Sequence, residues 1–371
     1  HGRSQCKTLP SPPSIIFGGK IAIVDRNLLT VPRMEDRLKD ALCEDAAFHW
    51  IPPGGVVPVE RELDAVKFLR EYVAQNRPVI IEGLVGAWPA STKWDQTYLS
   101  EAAGDCKLHV NFTPRGHGDC ILEDTFVKPL EIEMTMHDFF DKLQATREIN
   151  CLDEADRVRQ GVPYLSHQND NLREELPFLM QDVPPTLPLA EAAFGPLEAC
   201  NLWIGDERAV SSMHLDHFEN FYAVVEGEKV FHLLPPCFHP TFFMGEASFP
   251  AATWAQSLDN ESGWEMKIDQ PAASVPWIPF DPVTQPDKFD QRVIKSMIEC
   301  HVRKGQLLYL PAMWLHRATQ ACLTISVNYW FDMAFDHRWV YHNAIGVAAS
   351  GEAQKGLEDE SDSAHNSGDD A

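Results

Sequence analysis

The chain of 371 residues is 44% hydrophobic and 10% aromatic, enough for one large β-rich domain or two smaller ones. No run approaches the roughly 18 consecutive apolar residues of a membrane-spanning helix, so none is expected. Its 31 basic and 55 acidic residues give a net charge of −24, which argues against a nucleic-acid groove and suits either basic partners or a merely solubilising surface.

The sequence begins at His1 rather than Met, which reads as a truncated start. No charged n-region precedes an apolar stretch, so no signal peptide is expected. The nine cysteines are odd in number and form no C-x-x-C pair, a pattern that fits reduced thiols in the cytosol, or also the nucleus.

Residues 1–14, rich in Ser and Pro, read as a flexible lead-in to an N-terminal extension that ends near residue 49. From Glu60 to Gln75, Leu63, Val66, Leu69 and Val73 fall on one stripe, a helical pattern. Pro78 and Gly83 then bound a short buried strand, Val79-Ile80-Ile81. The stretch Thr113-Pro-Arg-Gly-His-Gly-Asp119 reads as a loop. Phe218 to Leu234 reads as a β-hairpin turning at Glu226-Gly227-Glu228. Residues 235–300 hold many Pro and Trp with little periodicity, and a structureless loop of that length is unexpected, so a packed insertion over a barrel mouth is expected there. Further strands are expected at Gly305–Leu310 and Leu323–Phe331, then an aromatic-rich helix at about 332–346 with Phe335, Trp339 and Ile345. From residue 349 the chain is polar and acidic, too poor in apolar side chains to order itself. With no strand–helix alternation, the fold class expected is mainly β with flanking helices, as one domain over about 50–348.

The chemistry-bearing candidates are histidines and carboxylates. A non-haem iron oxygenase needs two His and one carboxylate on one face of an octahedron, with the other face open. His-x-Asp/Glu on a strand serves this, because residues two apart point to one side. Composition alone yields about two such triplets, and the sequence has three: His117-Gly-Asp119, His214-Leu-Asp216 and His217-Phe-Glu219. The spacing therefore decides nothing by itself. Context favours the second, which precedes the hairpin carrying Lys229, whereas His217 and Glu219 would face the other way. A distal partner is marked by Leu308-Tyr-Leu-Pro-Ala-Met-Trp-Leu-His316, read as an apolar strand that delivers an imidazole to the barrel interior. Each candidate has a plainer alternative: a half-buried His, a solvated turn lysine at 229, a strand-edge amide at 220.

Taken together, Arg77-Pro-Val-Ile-Ile-Glu-Gly83 with Trp88-Pro89, His214-Leu-Asp216, Gly227-Glu-Lys229, Leu310-Pro-Ala-Met-Trp-Leu-His316 and Ser326-Val-Asn-Tyr-Trp330 resemble the JmjC branch of the cupin oxygenases over roughly residues 50–345. Asp216-His-Phe-Glu-Asn220 and Val275-Pro-Trp-Ile-Pro-Phe-Asp-Pro282 are most similar to its small JmjC-only lysyl hydroxylases. The resemblance implies a double-stranded β-helix (jelly-roll) core. It implies Fe(II) held by His214, Asp216 and His316, with 2-oxoglutarate as cosubstrate and O2 as oxidant. It matches Lys229 and Tyr164 to the pair that meets the far carboxylate of 2-oxoglutarate. Ser211 stands where relatives usually have Thr, Asn220 and Asn328 at amide positions lining the cosubstrate pocket, and Trp330 beside it. Relatives often carry Gly-Asp where this chain has Gly305-Gln306, a departure that removes no ligand.

The implied reaction is C-3 hydroxylation of a lysine in a protein, with developmentally regulated GTP-binding proteins as the family's targets. N-methyl-lysine demethylation of histones by the same chemistry is the first rival, and a non-catalytic cupin scaffold a second. Hydroxylation of a modified tRNA base is disfavoured by the charge, and no G-x-S-x-G or H-E-x-x-H signature marks a hydrolase. A homodimer through the terminal helix is also implied, with a cytoplasmic or also nuclear location.

Overall fold

The computed structural model describes residues 34–149 and 154–350, with the short strands Ile15–Phe17 and Lys20–Ala22. The expected lead-in at 1–14 and acidic tail beyond 350 lie outside the described residues. The chain divides into two units, His1–Ala41 and Leu42–Ala371. In the first, the two short strands pair antiparallel. The rest concerns the second.

Nine strands build its centre: β1 Val79–Glu82, β2 Ala199–Gly205, β3 Val210–His214, β4 Phe218–Glu226, β5 Glu228–Leu234, β6 Ile298–Arg303, β7 Gln306–Leu310, β8 Leu315–Gln320 and β9 Thr324–Asp332. One sheet runs β2-β9-β4-β7-β1, with Val59–Glu60 on its edge. The other runs β6-β5-β8-β3, with His117–Gly118 on its edge. From β2 to β9 the chain passes back and forth between the two sheets at every step but one, β5 and β6 being neighbours in the smaller sheet, which is the jelly roll.

The side chains sort by strand parity. On β4, Phe221, Ala223 and Val225 join the core outside the larger sheet, with Leu202, Tyr309 and Tyr329. Tyr222 and Val224 point between the sheets, with Trp203, Phe231 and Leu308. Strands of the larger sheet are buried on both faces, which is why they read as continuous apolar runs rather than as alternation.

Three expectations need correction. His117–Gly118 is not loop but a short strand parallel to β3, with Val210 opposite His117. The stretch 308–316 is not one strand: β7 stops at Leu310, Pro311–Trp314 turn the corner between sheets, and His316 belongs to β8. The helical stripe at 60–75 is shifted. Phe68–Val73 winds with five-residue hydrogen bonds, such as Ala74 N–H to Leu69 O at 2.9 Å. This wider turn brings Phe68 and Tyr72 inward and leaves Val66 and Leu69 exposed.

The segment expected as an insertion holds strands Ala247–Gln256, Trp264–Ile268 and Ser274–Trp277 and the helix Gln291–Ser296. From Ile298 it is already core strand β6. The terminal helix is His337–Ser350, since Asp332 still pairs within β9 and the Asp336 carboxylate accepts from Arg338 N–H at 2.9 Å.

The β4–β5 hairpin turns at Gly227, whose φ of +84° favours glycine. A Cβ there would meet Leu323 O at 2.4 Å and Thr324 Oγ1 at 2.6 Å. Gly227→Ala is therefore expected to destabilise the domain by about 1–3 kcal/mol. Thermal unfolding checks this, through a midpoint lowered by several degrees.

Candidate metal and cosubstrate site

Two histidines meet because of strand register. His214 at the end of β3 lies opposite His316 near the start of β8, and their ring centroids are 4.3 Å apart. Asp216 stands just beyond the end of β3. Its carboxylate oxygens lie 3.8 Å from His214 Nε2 and 3.6 Å from His316 Nε2. One ligand atom from each of the three fits within 4.8 Å of the other two.

The imidazoles are oriented by backbone. His214 Nδ1–H donates to Ser212 O at 2.7 Å and His316 Nδ1–H to Trp314 O at 3.0 Å. Both Nε2 lone pairs therefore face the shared space, the tautomer a metal ligand requires. Burial, with His214 alongside, pushes His316 down to about 4, so it stays neutral. The corner before β8 is tied to the third ligand: Met313 N–H donates to Asp216 O at 2.9 Å. Met313 has φ +68°, a conformation costing roughly 1–2 kcal/mol for a non-glycine residue.

Next to the trio, between the sheets, sits Lys229. It is 2% exposed, and its Nζ donates to Tyr164 Oη at 2.7 Å. The rings of Tyr164, Trp203 and Tyr222 surround it at 5.1–6.0 Å from Nζ to centroid. Among the described residues no carboxylate pairs with it, and burial pulls its ammonium down to about 7. An unpartnered buried cation costs several kcal/mol, so the site is built for an anion. Lys229, Asn220, Asn328 and Trp330 line one cavity with His214, Asp216 and His316. Asn328 Oδ1 accepts from Trp203 Nε1 at 2.9 Å, and its amide donates to Asn220 Oδ1 at 3.3 Å. Among the described residues the buried Trp330 Nε1 has no hydrogen-bond partner. Ser211, across the sheet from Ala318, lines the same cavity.

The structure thus gathers the residues that the resemblance matched: His214, Asp216, His316, Tyr164, Ser211, Asn220, Lys229, Asn328 and Trp330. Glu219 faces away from it, accepting from Tyr309 Oη at 2.8 Å and Arg338 at 3.1 Å. Three neighbours were missed. Trp203 and Tyr222 are inward positions of β2 and β4, readable from strand parity once β2 is recognised. Trp277 stacks on His214 at 5.9 Å and 12°, and nothing local in its sequence marks that long-range contact. In a second trio, His109, His167 and Glu175, His109 Nδ1 lies 2.7 Å from Glu175 Oε1 and His167 Nε2 lies 3.2 Å from Glu131.

Comparison with known proteins agrees with this geometry. A cupin-like domain matches residues 65–337. The chain is 34% identical over 303 residues to the bifunctional peptidase and (3S)-lysyl hydroxylase JMJD7 of Homo sapiens, covering 81% of this chain and 91% of that protein. It is 35% identical over 294 residues to the lysine-specific demethylase JMJ32 of Arabidopsis thaliana, covering 76% and 82%. It is 32% identical over 336 residues to the JmjC domain-containing protein E of Dictyostelium discoideum, covering 82% and 92%. With the domain match, the ligand trio and the buried lysine all on one scaffold, the chain belongs to the cupin-like JmjC family of 2-oxoglutarate-dependent oxygenases.

Proposed function

We propose that the chain hydroxylates a lysine of a protein substrate at C-3, using Fe(II), 2-oxoglutarate and O2, with a GTP-binding protein of the developmentally regulated class as target. The observation that carries the cosubstrate assignment is Lys229, a buried cation lacking an anion beside a metal-ligand trio. The lysine and its C-3 rest on the names of relatives that act on lysine and on the sequence resemblance. A net charge of −24 favours encounter with a basic segment.

His214, Asp216 and His316 would hold the metal. Lys229 and Tyr164 would hold the far carboxylate of 2-oxoglutarate, with Ser211 beside them. Asn220, Asn328 and Trp330 would line its flank. Iron and 2-oxoglutarate, when bound, supply the oxidising chemistry for the C–H bond, with succinate and CO2 released. The chain's own part is orientation: backbone carbonyls fix both imidazoles, and the aromatic sleeve around Lys229 excludes water from the carboxylate it meets.

Removal of an N-methyl group by the same site is the second reading, supported by the Arabidopsis relative's name. The peptidase activity in the human relative's name is not carried over, because peptide hydrolysis does not use the anionic cosubstrate that Lys229 calls for.

Two experiments test the proposal. Fe(II)-loaded protein given 2-oxoglutarate and air should release succinate, and His214→Ala should reduce this at least a hundredfold, with parallel loss of Co(II) absorbance on titration. Lysine peptides from GTP-binding proteins should gain +16 in mass, whereas loss of 14 from methylated peptides would install the demethylase instead. The second concerns pH. Lys229 must be protonated to meet a carboxylate, and in the free protein it loses its proton near 7. Above that pH, binding must take up a proton, so 2-oxoglutarate affinity should fall about tenfold per unit. Calorimetry in buffers of differing ionisation enthalpy should find an uptake approaching one proton. A flat profile from pH 7 to 9 would show that another group meets the carboxylate.

A further inference from the structure

Asp119 has no role in the site described so far. It follows the edge strand His117–Gly118 and lines the cavity shared by His214, Asp216 and Trp277. Its φ of +47° and the bond its carbonyl accepts from Ser212 Oγ fix its backbone against β3. Ser212 Oγ in turn accepts from Trp277 Nε1 at 3.2 Å, and Trp277 is the ring stacked on the ligand His214. Asp119 is therefore held by a short chain of contacts that ends on a candidate metal ligand.

Its carboxylate, by contrast, meets nothing. Among the described residues no side chain or backbone N–H donates to it. The titratable groups that face it are His214 and Lys128, and Lys128 is already paired with Asp269 at 2.7 Å. Asp119 offers no oxygen within 4.8 Å of all three ligand atoms, so it is not a fourth member of that set. A half-buried, unpaired carboxylate on a cavity wall is costly unless a cation arrives. Loss of water around it raises its carboxyl above the usual range, the response of an acid left without a partner.

We propose that Asp119 is the anchor for the side-chain ammonium of the substrate lysine, with the Trp277 ring forming the apolar wall for its methylene stem. The proposal deepens the lysyl reading above and rests on it. Hydroxylation at a carbon near the backbone places the ammonium several bonds beyond the reacting C–H, so its partner must stand in the same cavity but outside the metal's ligands. Asp119 is so placed. A lysine stem covers an aromatic face readily while its head is held by charge.

The test is a binding comparison between N-acetyl-lysine methylamide and its norleucine isostere, which lacks the ammonium. Each is titrated into protein loaded with Mn(II) and 2-oxoglutarate, which does not turn over, and broadening of ligand proton signals is read. Wild type should prefer the lysine compound by about tenfold or more. Asp119→Asn should erase that preference, and Asp119→Glu should retain part of it. Asn suits the left-handed backbone at this position, and the carboxylate bonds nothing, so the fold should persist. Equal binding of the two compounds by wild type, no binding of either, or a preference that survives in Asp119→Asn would overturn the proposal. Fe(II)-dependent succinate release with lysine peptides separates it from the reading beneath it. A preference dependent on Asp119 without lysine-coupled turnover keeps the anchor and removes the lysyl oxygenase. Coupled turnover with a preference indifferent to Asp119 does the reverse.

Discussion

A cation buried between two sheets constrains the rest of this structure. Lys229 enters the interior because β5 alternates, sending Lys229, Phe231 and Leu233 inward on successive odd positions. Among the described residues nothing acidic balances it. Its ammonium leans on Tyr164 Oη and on three aromatic rings, partners that soften desolvation without supplying the missing charge. The interior is thus stable enough to fold, and is completed only when an anion is present. A metal held by the neighbouring trio would explain why that anion should be one that chelates.

The metal-ligand trio follows from the same two-sheet geometry. A cross-strand pair in the smaller sheet sets His214 against His316, so two ligands come at no cost in loop ordering. The third, Asp216, stands where β3 has ended and β4 has not begun. Its backbone is captured by Met313, from the corner between β7 and β8. One loop therefore positions Asp216 through its carbonyl, while β8, which it leads into, carries His316. The positive φ of Met313 is strain located at the point where both ligands are fixed, as expected when surrounding structure over-determines a backbone at a functional site.

Much of this was legible in the sequence, for identifiable reasons. The hairpin at 218–234 shows because its turn has Gly227 and its strands are long apolar runs. Lys229 and the His-x-Asp segment gained meaning from their distance to that turn. What sequence could not show was pairing. The run 308–316 looks like one apolar strand, because Leu310 and Leu315 are equally buried although they belong to different sheets. Only Pro311 hints at the corner. His117–Gly118 looks like loop because a two-residue strand on a parallel edge has no room for periodicity. Strand β2 was not anticipated, although Asn201 and Trp203 alternate inward between Cys200, Leu202 and Ile204 and Gly195-Pro196 separates its run from the preceding helix.

The division between core and insertion also bears on specificity. The residues that would hold the metal and the expected anion lie almost entirely on strands whose register is locked by both faces, where a one-residue slip would turn every side chain to the wrong side. Such positions are poor places to change substrate choice. Trp277 is different: it lies on a strand of the insertion between β5 and β6, and reaches the site by stacking on His214 and donating to Ser212 Oγ. The insertion is tied to the rest through Ala251–Thr253, which pair with Phe126–Lys128, and that hairpin follows directly on Asp119. The wall opposite the anion pocket is thereby assembled from two segments that neither sheet dictates. Changes in either could reshape what approaches the metal while leaving the ligands and Lys229 where the register holds them.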